Sequence, residues 1–182
     1  MAPSRAWPAT LDILESLQQL TPASNAQKTA ILDLSIIGFF FLCRPGKYAA
    51  SSEPGRSSPF ALADVTFRTA QRSYPAATAS LNDLSVLAPS LTAVTLQYTD
   101  QKNAVRDELI THFTSGHDVY CPARAALRRV CHIRTHTSEP TTPLYTHFTR
   151  QRASLVSTAH ITARLREAAA AAQEITGIPP HK

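Results

Sequence analysis

Apolar residues recur along this chain with two different periods. Leu11, Leu14, Leu17 and Leu20, joined by Ile13, repeat at helical spacing until Thr21-Pro22 ends the pattern. Ser24 or Asn25 can cap a second helix that runs through Leu32 and Ile36 to about Cys43. Its later turns are apolar on every side, which predicts a central, buried helix. Pro45-Gly46 closes it, because proline disfavours helical geometry in the residue before it and glycine permits a tight exit. Residues 49–58, AASSEPGRSS, read as a polar loop. The period then shortens to two. PFALADVTF (59–67) carries an alternating strand signal, and LTAVTLQYT (91–99) a clearer one, with Val94, Leu96 and Tyr98 on one face. DQKN (100–103) reads as a turn and AVRDELITHF (104–113) as the returning partner strand. Residues 72–90, rich in Ala, Ser and Pro, give no assignable pattern.

Helical spacing returns in CPARAALRRVCHIRTH, where Pro122 takes the first helical position and the helix ends near His136. TSEPTTP (137–143) is a linker, and a last helix spans about Ser157 to Ile175, closed by Gly177 with Pro179-Pro180 beyond. No internal repeat interrupts this order. Helix, helix, hairpin-rich segment, helix, helix is an α+β arrangement in which helices dominate.

Composition narrows the class. With 182 residues, 43% of them hydrophobic, the chain is long enough for one domain with a real core, and wholesale disorder is excluded. A net charge of +5, with seven histidines that raise it in acid, is compatible with nucleic acid or an acidic partner without selecting either. Cys43, Cys121 and Cys131 are odd in number and widely spaced, which fits reduced thiols in an intracellular protein better than a secreted disulfide framework. MAPSRAWPATLDILESL has no continuous apolar segment of the kind a signal peptide needs. Leu34 to Cys43, the longest apolar run, is broken by Ser35 and Gly38 and falls short of the roughly 20 residues that span a bilayer. The expectation is a soluble intracellular domain beginning near residue 10, with 1–9 a disordered tail and 179–182 a short stub.

Three kinds of chemistry can be weighed from residue spacing. Cys121, Cys131, His132 and His136 invite a zinc reading, yet the two cysteines stand at opposite ends of one helix, about 15 Å apart. Structural zinc pairs cysteines two to four residues apart, so no metal site is expected. There is no G-x-S-x-G, and five glycines supply neither a P-loop nor a dinucleotide fingerprint, so no cofactor is expected and any bound phosphate must be met by side chains and helix ends. The third feature is a basic row. Arg124, Arg128, His132 and His136 follow one another at i, i+4 spacing, with Arg129 and Arg134 alongside and Ala123, Ala126, Leu127 and Val130 opposite. The plain interpretation is a solvated helix surface; the functional one is a rail of cations following a phosphate backbone.

Taken in order, AQKTAILDLSIIGFFFLCRPGKY, PFALADVTF, VTLQYTDQKNAVRDELI and CPARAALRRVCHIR resemble the first half of the catalytic domain of tyrosine recombinases, the phage-integrase family. The likeness spans roughly residues 10–178 and is nearest to the divergent recombinases of eukaryotic mobile elements. The RPG exit and the QKN turn are its most specific pieces. The resemblance implies a partial recombinase fold in which a small antiparallel hairpin sheet packs among helices. It implies DNA strand breakage and rejoining through a phosphotyrosyl intermediate, without metal or ATP. Arg44 would meet the non-bridging oxygens of the transition state, a role suited to a planar, permanently charged guanidinium. Lys102 would protonate the departing 5′ oxygen as general acid. Arg106, Arg124 and Arg128 would contact the DNA backbone.

Other parts of the family pattern are missing from these residues. The family uses a second arginine in a His/Ser-x-x-Arg box and a tyrosine near its C-terminus. HFTR (147–150) matches the box as a string, but it precedes the last helix in an edge-like segment and is rejected. Tyr48, Tyr74, Tyr98, Tyr120 and Tyr145 all lie too early to be the nucleophile. Lys47 stands where a supporting carboxylate is expected, and no N-terminal clamp domain precedes residue 10. The expectation is therefore a truncated catalytic domain that is inactive alone. Its partners would be double-stranded DNA and another recombinase protomer, with no membrane, and its location the nucleus in a eukaryote and otherwise the cytoplasm. A non-catalytic DNA-binding domain and a helical protein-interaction domain are the alternatives.

Overall fold

Asn25 starts the helix around which the protein is built. Its side-chain oxygen accepts the Lys28 N–H at 3.0 Å, satisfying one of the amides that a helix start leaves open. The helix then runs from Ala26 to Phe40 with Ala30 through Gly38 all buried, as an element apolar on every side must be. The computed structural model describes residues 10–43, 45–51, 58–99, 107–117 and 119–176.

Among these, six helices and two antiparallel sheets make an α+β fold in which helices predominate. The helices are α1 (Leu11–Gln19), α2 (Ala26–Phe40), α3 (Pro45–Tyr48), α4 (Leu81–Ser85), α5 (Pro122–Arg134) and α6 (Thr158–Thr176). Strands β1 (Val65–Arg68), β2 (Ser73–Pro75), β3 (Ala93–Tyr98) and β4 (Glu108–Phe113) form one sheet in the order β2-β1-β3-β4. Strands β5 (Thr146–Thr149) and β6 (Arg152–Leu155) form a separate hairpin. No helix of the described residues is long and apolar enough to cross a membrane.

Helix α2 packs against α1, α3, α5, α6 and β5. Register explains how the sheet meets it. Val65 pairs with Leu96, Phe67 with Val94 and Val94 with His112, so these side chains share one face with Ile110 and Tyr98. Val65, Phe67, Val94 and Leu96 are fully buried there, and Tyr98 and His112 reach the last turn of α2. Helices α1 and α6 pack together on another side, with Leu14 and Leu17 fully buried. Ser157 caps α6 reciprocally: its hydroxyl accepts the His160 N–H, and the His160 ring accepts the Ser157 N–H, both at 3.2 Å.

The structure shifts several sequence expectations. Helix α2 stops at Phe40, not Cys43, because Leu42 turns into the left-handed region (φ 51°) and the Cys43 N–H returns to the Gly38 carbonyl at 3.0 Å. The strand signal over 59–67 yields a strand only from Val65; Leu62–Asp64 is a 3-10 turn, and Phe60 and Leu62 are buried outside any strand. The unassigned stretch 72–90 contains β2 and α4, the latter capped by Ser80 on the Asp83 N–H. Hairpin β5–β6 occupies the segment read only as edge-like. The tail 1–9 and the stub 179–182 lie outside the described residues.

Gly38 is fitted to one contact. A Cβ there would lie 2.7 Å from Cζ of the Tyr48 ring, so only glycine lets α3 fold back so closely on α2. Gly38→Ala is expected to destabilise the protein by about 1–2 kcal/mol in chemical denaturation, since overpacking outweighs the gain in helix propensity. A variant more stable than the parent would show that the Tyr48 ring yields freely.

Candidate nucleic-acid interface

The exit of α2 is held by the sheet through side chains of three residues. Tyr98 at the end of β3 donates its hydroxyl proton to the Phe41 carbonyl at 3.1 Å. The Cys43 thiol stands 3.0 Å from the same phenol oxygen, which leaves the thiol as donor in that pair. Burial pushes the Cys43 thiol up to about 11 and raises Tyr98 as well, so both stay protonated and hydrogen bonded at neutral pH. From β4, the His112 ring meets Phe41 edge-on at 4.4 Å; burial lowers its pKa, against the nearby Phe40 backbone, which raises it. Residues on both strands of the β3–β4 pair therefore grip the last turn of α2.

Lys47 closes the underside of this junction. It is only 4% exposed, with its ammonium 5.6 Å from the Phe60 ring centre and 5.9 Å from that of Tyr98. Its charge is felt at Asp64, whose carboxyl accepts the Ala61 N–H at 2.8 Å and whose pKa is raised by burial against those two influences. Lys47 is thus packed into an aromatic layer and not presented at the surface.

Arg44, Lys102 and Arg106 lie outside the described residues. Arg44 follows Cys43 directly, and Lys102 lies four residues beyond Tyr98. The other two expected contacts, Arg124 and Arg128, are both on α5 and both half-buried.

The basic row of α5 is occupied largely by structural bonds. Arg128 reaches across to α2 and gives Asp33 Oδ1 two hydrogen bonds, from Nε at 2.8 Å and Nη2 at 2.6 Å. The Asp33 side chain is 1% exposed and that of Arg128 39%. Burial raises the Asp33 pKa, while Arg128 and then Arg129 pull it down. Arg129 is buried and donates to the Leu144 and Thr146 carbonyls, tying α5 to the start of β5; burial lowers its pKa to about 10. Arg134 donates to the Ala77 and Ala79 carbonyls at 3.3 and 2.8 Å. His132 accepts the Phe148 N–H at 3.0 Å, and the His136 ring stacks on Phe148 at 4.4 Å. A cleft of about 180 Å³ opens between α5 and the first turns of α2, lined by Thr29, Asp33, Arg128, Arg129 and His132 among others. It lies at the N-terminal end of α2, about 20 Å along the helix from the Tyr98 junction.

The rejected HFTR string has no shared site. His147 is 5% exposed on β5, while Arg150 is in the exposed hairpin turn. Among the described residues no group of three or more His, Cys, Asp or Glu side chains is placed to hold a metal ion. Two features escaped sequence reasoning: the pairing of Asp33 with Arg128, and the Tyr98–Cys43 contact. Only the first left a trace, as one carboxylate in an otherwise apolar stretch. The chain matches no protein-family model, no curated protein and no solved structure.

Arg128→Ala would leave the Asp33 carboxylate buried without that guanidinium. The expected loss is about 3 kcal/mol at pH 7. Protonation of Asp33 relieves it, so the deficit should shrink as pH is lowered from 7 in paired urea titrations. A deficit that is constant with pH would contradict the assigned charge on Asp33.

His132 tests the hairpin anchorage. Burial, with Arg129, His136 and His147 adding repulsion, lowers its pKa from 6.5 to about 4. The folded state therefore favours neutral imidazole, whose stabilisation is complete above about 6.5 and is lost as pH falls towards 4. Across that window His132→Gln should lose less stability than the parent protein. Equal acid slopes in the two proteins would overturn this assignment.

Proposed function

We propose that these residues are a tyrosine-recombinase catalytic segment that binds duplex DNA through its phosphates, with Arg44 and Lys102 serving one phosphodiester. The observation that carries the proposal is the Tyr98 junction. Cys43, one residue before Arg44, is 3.0 Å from the hydroxyl of Tyr98, the last residue of the strand leading to Lys102. A buried helix and a two-stranded unit meeting there suit the delivery of two cations to one anion. In the proposed chemistry Arg44 neutralises the non-bridging oxygens and Lys102 supplies a proton to the 5′ oxygen. Arg106, Arg124 and Arg128 would add backbone contacts, with that of Arg128 weakened by Asp33.

The 182 residues contain no His/Ser-x-x-Arg box after α6 and no tyrosine beyond Tyr145. Tyr48, Tyr98, Tyr120 and Tyr145 all have pKa values raised by burial, which suits structural phenols better than a nucleophile. The proposed activity of these residues by themselves is therefore DNA binding without cleavage. A second reading, a protein-interaction domain, draws on the exposed Leu109 and Phe113 side chains of β4, which is an edge strand.

Fluorescence anisotropy with a labelled duplex tests the proposal. Affinity should fall linearly on a log–log plot against salt, and Arg44→Ala should weaken binding and reduce that slope by about 1. Absence of binding at low salt, or binding insensitive to salt, would remove the DNA role. A covalent protein–DNA adduct on a denaturing gel would overturn the non-cleaving part.

A further inference from the structure

Strand β4 ends the four-stranded sheet, and hydrogen-bond alternation fixes which of its amides face outward. The Ala76 N–H donates to the Val65 carbonyl at 2.8 Å, so Val65 and Phe67 turn their backbone groups to β2 and Thr66 and Arg68 turn theirs to β3. Their partners Thr95 and Ala93 therefore point away from β4, which leaves Val94, Leu96 and Tyr98 to bond His112, Ile110 and Glu108. The Thr114 N–H, donating to the Thr92 carbonyl at 2.9 Å, continues the same alternation. Leu109, Thr111 and Phe113 are left with N–H and C=O groups aimed out of the sheet, and no described residue bonds them. Their side chains share the face turned away from the core, where Leu109 is 63% and Phe113 74% exposed.

Nothing blunts this edge, since residues 108–113 include no proline, glycine, lysine or arginine. The opposite edge is blunted. Strand β2 has three residues, and by the same alternation the missing N–H of Pro75 is on its outer side. We propose that β4 pairs antiparallel with β4 of a second copy of this chain, about a two-fold axis at Thr111. The strand carries its own complement. In that register Leu109 stands opposite Phe113 of the second copy, Phe113 opposite its Leu109, and Thr111 opposite Thr111, so every outward amide meets an outward amide. A shift of one residue would set outward groups against bonded ones, and a shift of two would break both Leu–Phe pairs. Like charges also stay apart, because Glu108 meets Thr114 of the second copy. Pro75 then prevents the joined sheet from growing at its far ends, so the assembly closes as a dimer. One strand pair with two Leu–Phe contacts is a small interface, which makes the dimer reversible. The inference stands apart from the DNA-binding reading and gives the exposed face of β4 its partner.

Sedimentation velocity of the full chain over a micromolar concentration series tests the inference, without DNA present. The mass should rise from one copy to two and stop there. Phe113→Lys changes an exposed side chain, so its Tm should stay within about 2 °C of the parent's. Its dimerisation should nevertheless need at least about tenfold more protein. Cross-linking reads the register. The two Thr111 Cα atoms would lie about 5.5 Å apart, so Thr111→Cys should form a disulfide-linked dimer under mild oxidation. Leu109→Cys, about 14 Å along the strand from its counterpart, should not. A parent that stays monomeric, or that grows beyond two copies, overturns the proposal. So does Phe113→Lys dimerising as the parent does, or Leu109→Cys cross-linking as readily as Thr111→Cys.

Discussion

The hydroxyl of Tyr98 ties together the two parts of this protein that matter most. Its hydrogen bond to the Phe41 carbonyl occupies an acceptor that the end of α2 leaves open, and its contact with the Cys43 thiol fixes the next step of the chain. His112 packs on Phe41 from the adjacent strand, and Phe60 meets the Tyr98 ring edge-on at 4.9 Å. Without this junction α2 would end against the sheet with a loose exit. With it, the end of the helix is bonded to the sheet, and the left-handed turn at Leu42 is held against its own preference. Packing, strain and the proposed chemistry all meet here.

The charges on α5 follow a different logic. A row of cations at helical spacing reads as a surface for an anion, yet several of its members bind within the protein. Arg128 pairs with a carboxylate buried in α2, Arg129 donates to carbonyls just before and at the start of β5, Arg134 donates to carbonyls of the loop between β2 and α4, and His132 is held neutral as an acceptor. Buried acceptors left by irregular backbone must be satisfied, and a guanidinium can reach two carbonyls at once. The helix therefore organises the 77–79 and 144–148 segments around itself. For an external phosphate the half-exposed Arg128 is already shared with Asp33.

The legible parts of the fold were those whose determinants are local. Helices α1, α2, α5 and α6 each combine apolar periodicity with a cap or a first-turn proline, and β3 alternates cleanly. Strand β2 and helix α4 were not legible, because part of their order comes from afar: Arg134 reaches the loop between them. Hairpin β5–β6 was missed for the same reason, its anchors being Arg129 and His132 on α5. At the candidate site, the apolar run into Arg44 announced a buried helix with a cation at its exit. The identity of the residue gripping that exit, Tyr98 some 55 positions after Cys43, had no signature in a single sequence. Asp33 did have one, since a carboxylate inside an apolar helix calls for a buried partner, and the basic row on α5 was the nearest supply.

The central claim is that Arg44 and Lys102 act on one phosphate. A double-mutant cycle on duplex-DNA affinity, with Arg44→Ala, Lys102→Ala and the double variant at fixed low salt, addresses it directly. Two cations on a shared phosphate should be coupled, with the double variant departing from the sum of the single losses by at least about 0.5 kcal/mol. Strict additivity, or a loss in only one of the single variants, would contradict the account.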